Sequence, residues 1–315
     1  MKLTVLSPGP LSTIQDEGRF GAMDTGFSPG GAMDCESMAL ANLLVGNVPG
    51  AGVIEMTMAG LSARFDCTCV IALTGADMFP KRNGRDLALY RAVEMHPGDE
   101  LTMGAAKRGM RGYLAVAGGF DLPMVMGSQS TNLKCGLGGF QGRKLRSGDE
   151  LPLNQSIPLS ALGDRSLAPR NHYPAEITLR VILGPQADFF TDRGIAAFLG
   201  STYTISEKSD RMGIRLEGAK IENRNGVDIL SDGIAAGSVQ IPAAGTPIIM
   251  MADRQTTGGY AKIATVISAD LKKAAQARPG SRVRFEKVTL AEGVRLRREE
   301  TRRLRQTEYE LLSWL

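Results

Sequence analysis

Residues 250–262 read MMADRQTTGGYAK, and the fold and function of the chain turn on this stretch. An apolar run at 247–251 has the composition of a buried strand. Asp253, Arg254, Gln255, Thr256, Thr257, Tyr260 and Lys262 follow it, gathered around the pair Gly258-Gly259. So many hydrogen-bonding groups at the end of a buried strand are costly to desolvate unpaired. The stretch is therefore expected to floor a site built around the flexible pair Gly258-Gly259. The competing expectation is a salt-bridged β-turn in which Asp253 pairs with Arg254 or Lys262.

Working outward, the surrounding chain reads as mainly β with a few helices. Glycine accounts for 38 of 315 residues, above the usual share of roughly 7%, and it falls in turns rather than in a linker. Period-two runs mark strands at 3–6, 53–58, 61–65, 70–73, 87–91 and 113–117, with Arg82-Asn83-Gly84 as a hairpin turn. Pro97-Gly98-Asp99-Glu100-Leu101 and Ser147-Gly148-Asp149-Glu150-Leu151 repeat one turn signature, and Pro279-Gly280-Ser281 is related to it. Helical spacing is confined to 32–45, 188–199, 268–277 with Ser268 as N-cap, and the Arg/Glu-rich tail 292–315. Three prolines and no period make 154–176 the expected linker. The expected organisation is thus a domain at 1–155, a second at 175–290 and a C-terminal helix at 291–315, packed on its own body by a thin apolar face.

Composition excludes several classes. The formal charge of +4 comes from scattered Lys and Arg with no basic stripe, so nucleic acid is not an expected partner. No run approaches the length of a membrane span, and the N-terminus lacks an apolar leader, so a cytoplasmic location is expected. Cys35, Cys67, Cys69 and Cys135 have neither CxxC spacing nor nearby histidines, which points to buried thiols and to no metal site.

Two catalytic patterns fail on chemistry. Gly26-Phe27-Ser28-Pro29-Gly30 matches the nucleophile elbow, but the residue after the serine must donate an N–H to an oxyanion, and Pro29 has none. The stretch at 136–142, GLGGFQG, misses the dinucleotide spacing by one residue and lies among strands. A second polar cluster, Gln15, Asp16 and Arg19 in the loop STIQDEGRFG, resembles the first in character.

Taken together, GPLSTIQDEGRFG, SPGGAMD, ANLLVGN, GSQST, SDRMGIRL, SDGIAAGSVQIPAAGTPI and MADRQTTGGYAKIATVISADL resemble, in this order, the carboxyltransferase-domain family over about residues 1–290. That family includes the 5-oxoprolinase C subunit, allophanate hydrolase subunit 2-like proteins, a sporulation-kinase-inhibitor antagonist and part of urea carboxylase. The resemblance implies two cyclophilin-like β-barrel domains in tandem and a smaller partner subunit of related fold. It also implies chemistry on a lactam, amide or urea-like substrate. It carries over Gln15, Asp16, Arg19, Ser128, Thr131, Asp210 and Arg211 together with Gln255, Thr256, Thr257 and Tyr260 as substrate-binding residues, and Asp253, Arg254 and Lys262 as the catalytic set.

Developing negative charge beside an amide calls for Arg254 or Lys262 to hold it, with Asp253 orienting them or acting as base. The leading reading is a subunit of an ATP-dependent 5-oxoprolinase, with ATP bound by or with the partner. The alternative is a biotin-dependent carboxyltransferase, whose biotin must arrive on a separate carrier because no A-M-K-M sequence is present. A third reading is a regulator that binds a kinase-inhibitor protein. The polarity of 253–262 argues for an enzyme over this binder, since a protein groove favours aromatic and Met anchors.

Overall fold

Alternation along the strands of the N-terminal half sorts side chains onto two opposite faces, and in one of its two sheets both faces are buried. The computed structural model describes residues 1–155, 158–170, 172–224 and 226–312; Trp314, read as part of the tail helix, lies outside them. One unit comprises Met1–Phe20, Gly30–His172 and the chain from Arg303. Its elements begin with β1 (Lys2–Ser7), β2 (Leu11–Gln15), α1 (Cys35–Leu44), β3 (Val53–Thr57), β4 (Ser62–Phe65) and β5 (Cys69–Gly75). There follow β6 (Lys81–Arg82), β7 (Arg85–Asp86), β8 (Ala92–Met95), β9 (Glu100–Thr102), β10 (Arg111–Val116), β11 (Glu150–Pro152) and α2 (Leu159–Leu162).

The strands form two sheets, ordered β11-β1-β4-β9-β6-β7 and β2-β3-β10-β5-β8. Leu3, Phe65, Leu101 and Leu151 of the first sheet share one core with Ile14, Ile54, Ile71 and Leu114 of the second. The other face of the second sheet, with Val53, Val70, Ala72, Tyr113 and Ala115, packs on Met38, Leu40 and Leu44 of α1 and on Leu311. A strand covered on both faces needs apolar residues at successive positions, which is why β5 over 69–73 and β10 over 113–116 are continuous apolar runs and not the alternating ones expected.

Local chemistry explains where elements depart from the sequence expectation. Helix α1 starts after Asp34, whose carboxylate accepts from the Ser37 amide at 3.1 Å and hydroxyl at 2.7 Å. Ala32 and Met33 precede that cap, their amides engaged by the Asp16 carbonyl and the Glu55 carboxylate. The expected strand at 87–91 is a turn, because Tyr90 adopts φ 58° and buries its ring while its hydroxyl accepts from the Gly75 amide. Within the expected linker, Leu162 and Arg165 are buried, and Arg165 donates to the Leu43 carbonyl at 3.0 Å. The three prolines mask this packing. Of the cysteines, only Cys69 is buried; Cys35 and Cys135 are exposed and Cys67 is half-buried, and none of the four forms a disulfide.

The other unit comprises Gly21–Pro29 and Tyr173–Arg302. Its elements are β12 (Glu176–Leu183), α3 (Asp192–Gly200), β13 (Tyr203–Ile205), β14 (Gly213–Glu217), β15 (Asp228–Gly233), β16 (Ser238–Gln240) and β17 (Ile248–Met250). β18 (Thr257–Tyr260), β19 (Lys262–Val266), α4 (Leu271–Gln276), β20 (Arg282–Lys287) and α5 (Leu290–Leu312) complete it, α5 passing at Arg303 into the residues of the first unit.

Seven strands close into a barrel, β12-β19-β16-β17-β14-β13-β20, sealed by the parallel β12–β20 pair, and β15 with β18 forms a separate ribbon. Closure leaves the ring without an unpaired edge. Phe198 of α3 stacks on Phe285 of β20 with ring centroids 4.4 Å apart. Ser268 is not a helix cap: residues Ser268–Asp270 form a 3₁₀ turn, and the buried Asp270 accepts from the Arg180 amide and guanidinium. In α5, Leu304 is half-buried and Leu311 buried, while Arg295 and Arg297 pair with glutamates on the exposed side. The chain is mainly β, and among the described residues no helix is long and apolar enough to cross a membrane.

Candidate functional site

The stretch 250–262 leaves the barrel at the end of β17, turns through 251–256 and returns as β18 and β19. Backbone bonds fix the turn: the Met251 and Asp253 amides donate to the Met212 and Arg211 carbonyls, and Arg254 N donates to the Met251 carbonyl. Ser28, the serine of the failed elbow pattern, is a fourth tie, its hydroxyl donating to the Ala252 carbonyl at 3.2 Å.

The side chains then divide. Asp253 pairs with neither Arg254 nor Lys262. Its two oxygens accept from Nε and Nη2 of Arg211 at 2.8 and 2.9 Å, a fork-on-fork contact with Arg211 buried. Asp210 turns away and accepts from the Met212 and Gly213 amides, which shapes the bend that presents Arg211. Lys262 is buried and donates to Asp232 Oδ2 at 2.7 Å; its hydrogen bond and charge, with the Gly233 amide, hold the Asp232 carboxyl below the ordinary range. Gln186 joins them, accepting from Lys262 N and donating to Asp232.

Arg254 is 8% exposed, and Nε and Nη1 donate to the Ile234 and Met251 carbonyls at 2.9 and 3.3 Å. Burial holds its guanidinium below the usual value, and no carboxylate pairs with it among the described residues. Gln255 is half-buried, with Oε1 enclosed and unpartnered. The Thr256 carbonyl accepts from Ile234 N; Thr257 and Tyr260 are exposed, and the Tyr260 carbonyl accepts from Gln240 Nε2 at 3.4 Å. Gly258-Gly259 is the middle of β18, paired with β15.

The second cluster lies wholly in the first unit. Asp16 is its hub: Oδ1 accepts from Gly18 N at 2.8 Å and from the hydroxyls of Ser128 and Ser130, and Oδ2 from Gln129 N at 2.6 Å. Arg19, 1% exposed, donates to the Val125 and Ser130 carbonyls at 2.8 and 2.9 Å. Thr131 donates its hydroxyl to the Ile14 carbonyl, and Gln15, at the end of β2 rather than in the loop, donates to Thr13 and to the Thr131 carbonyl. Gln15 Oε1 is buried without a partner. The glycines of 136–142 wrap this cluster: a Cβ on Gly138 would strike Ser130 and Arg19, and one on Gly139 would strike Thr131.

Among the described residues, both clusters thus build a buried guanidinium whose hydrogen bonds go to backbone carbonyls. Asp232, Gln186, Gln240, Ser130 and Gln129 were missed from sequence, although Asp232 and Gln240 lie in SDGIAAGSVQIPAAGTPI and Ser130 and Gln129 in GSQST. Membership of a shared motif was the available signal.

A mainly β chain with a closed barrel and these polar loops has a known counterpart. The carboxyltransferase domain, subdomains A and B, matches residues 25–287, and the chain belongs to that family. It is 38% identical to the 5-oxoprolinase C subunit of Escherichia coli (strain K12) over 99% of this chain and 98% of that one. It is 39% identical to the 5-oxoprolinase C subunit of Haemophilus influenzae, covering 94% of each. Among solved structures it superposes on the K. lactis urea amidolyase with a TM-score of 0.90 at 28% identity, over 97% of this chain and 20% of that one.

Proposed function

We propose that this chain is the larger cyclophilin-like subunit of an ATP-dependent 5-oxoprolinase, which opens 5-oxo-L-proline to L-glutamate together with a smaller related subunit. The carrying observation is reciprocal coverage: the chain and the 5-oxoprolinase C subunit match end to end, whereas it spans a fifth of the urea amidolyase. Lactam opening places negative charge on an amide oxygen, and Arg254, a buried cation with no carboxylate partner among the described residues, supports the reading because preorganised donors in a water-poor site stabilise such charge strongly. Lys262, already neutralised by Asp232, and Asp253, already gripped by Arg211, are less available for that role.

No phosphate seat for ATP stands out among the described residues. The N-termini of α1, α3 and α5 are capped by the side chains of Asp34, Thr191 and Thr289, and that of the six-residue α4 carries the Asp270 carboxylate, which Arg180 engages. The glycines of 136–142 turn inward on Arg19 and Thr131 and open no helix. The proposal therefore places ATP with the partner. The chain purified alone is expected not to hydrolyse ATP with 5-oxoproline, and adding the smaller subunit is expected to restore turnover; full turnover by the chain alone would sink the reading.

The fold likeness to the urea amidolyase supports a second reading, carboxyl transfer from a separately carried biotin. Excess avidin abolishes that activity in a reconstituted system and leaves 5-oxoproline turnover untouched.

A further inference from the structure

Met58 and Phe79 of the two-sheet unit lie in the left-handed region, with φ of 69° and 52°, and both side chains are exposed. The backbone there has local work: Met58 accepts from the Ala106 amide and donates to the Met110 carbonyl, and the Phe79 amide donates to Asp77 Oδ1. Glycine would meet both demands without strain and without setting an apolar side chain in water. The bends account for the backbone and not for the side chains. The loop 104–110 is bonded to both segments, since its Gly104 and Lys107 amides donate to the Met78 and Asp77 carbonyls. Lys107 and Arg108 are exposed on that loop, and Arg108 forms no ion pair among the described residues. Two strained apolar residues thus border a basic loop.

The unit that holds the barrel carries a surface of opposite sign. In the ribbon of β15 and β18, Asp228 pairs with Tyr260 and Asp232 with Gly258, so Ile229, Leu230 and Ser231 lie opposite Gly259 alone. A bulge of this kind turns a side chain out of the ladder, and Leu230 is 94% exposed. Asp228, close before it, is exposed and, like Arg108, forms no ion pair among the described residues. A lone surface leucine is ordinary. One thrown outward by a bulge beside an uncompensated acid has the form of an apolar knob with a charged rim.

We propose that this chain self-associates through these two surfaces, the Leu230 knob of one copy seating against Met58 and Phe79 of the next with its Asp228 facing Arg108. Apolar contact and charge complementarity then act together, and the strain at Met58 and Phe79 gains a reason. Because the two surfaces differ, the contact is heterologous: it repeats from copy to copy and either closes in a ring or runs on as a chain.

The test is sedimentation velocity on the full chain over a dilution series, at low and high salt. Wild type is expected to self-associate, less so at high salt. Leu230→Lys is expected to weaken association about tenfold or more, as expected for an interface anchor. Phe79→Gly is expected to do the same while keeping Tm, since glycine accepts the backbone conformation, and a merely structural Phe79 would leave association unmoved. Arg108→Asp and Asp228→Arg should each weaken association alone and recover it when mixed, because the mixture pairs Asp with Arg in one contact and restores the wild-type pair in the other. A wild type that stays monomeric throughout overturns the proposal, as do variants that associate like wild type or a mixture no stronger than its components. So does a monomeric wild type that uses Leu230 and Phe79 to bind the smaller subunit, which would assign both surfaces to that partner.

Discussion

Arg254 and Asp253 are neighbours in the chain but do different work. Arg254→Lys keeps the charge and loses the planar fork, and about tenfold to a thousandfold loss of kcat is expected in the two-subunit assay. Because Arg254 also satisfies two buried carbonyls, lysine leaves one of them unmatched, and Tm should fall by roughly 2–8 °C. Asp253→Asn removes the partner that Arg211 grips with two hydrogen bonds, and a loss of about 3 kcal/mol is expected in denaturant unfolding. If that loss is the cost of a broken buried pair, the double variant Arg211→Met with Asp253→Leu recovers most of it. An unrecovered double variant would assign Asp253 a further structural role.

At the scale of the element, the repeated turn signature shows how much sequence can carry. In Pro97-Gly98-Asp99, Ser147-Gly148-Asp149 and Pro279-Gly280-Ser281 the glycine has φ of 89°, 87° and 84°, and its amide donates to the Phe65, Val5 and Ile205 carbonyls respectively. Each following residue returns a carbonyl to the same partner's amide, so three turns make one pair of bonds. Such a device is legible because it is local: positive φ needs glycine, and the next side chain closes the turn. The turn out of the barrel after β17 was legible for a related reason, since a run as polar as 253–257 does not continue a buried strand.

What the sequence hid is the choice of partner over distance. Lys262 meets Asp232 and Asp253 meets Arg211, 30 and 42 residues away, in pairings set by strand order. Asp270 was hidden in the same way. Burial alone would raise its pKa, but Arg180 and Lys273 outweigh that and hold it below the ordinary range. A carboxylate depressed in the folded state stabilises fully above its unfolded pKa of about 3.9, and the contribution is lost as pH falls through the lower folded value. Asp270→Asn should therefore lower stability at neutral pH and flatten the acid limb of a pH–Tm profile below about pH 4. An unchanged limb would show that Arg180 and Lys273 do not control it.

For the whole molecule, family and fold class follow from ordered motifs spread over nearly the full length, while partnership and chemistry rest on the assays above. The unit that holds the barrel and the two-sheet unit each draw on more than one stretch of chain, so neither unit is a continuous segment. Termination after Arg302 would remove Leu304 and Leu311 from the apolar layer that covers α1. Such a truncation is expected to expose that layer, read as dye binding and a lowered Tm, with the barrel of 173–302 retaining its strands. A truncated chain that melts like the full one would show that this end of α5 contributes nothing to the layer.

The same connectivity sets an order of events during synthesis. A ribosome delivers β1 before any strand of the barrel, yet the unit that contains β1 waits for Leu311 before its helical layer is covered. By then the barrel, whose last strand ends at Lys287, has emerged in full. Of the two units, the one whose translation begins earlier is the one that finishes folding later, and while it waits its uncovered face beside α1 is the surface a nascent-chain chaperone would meet.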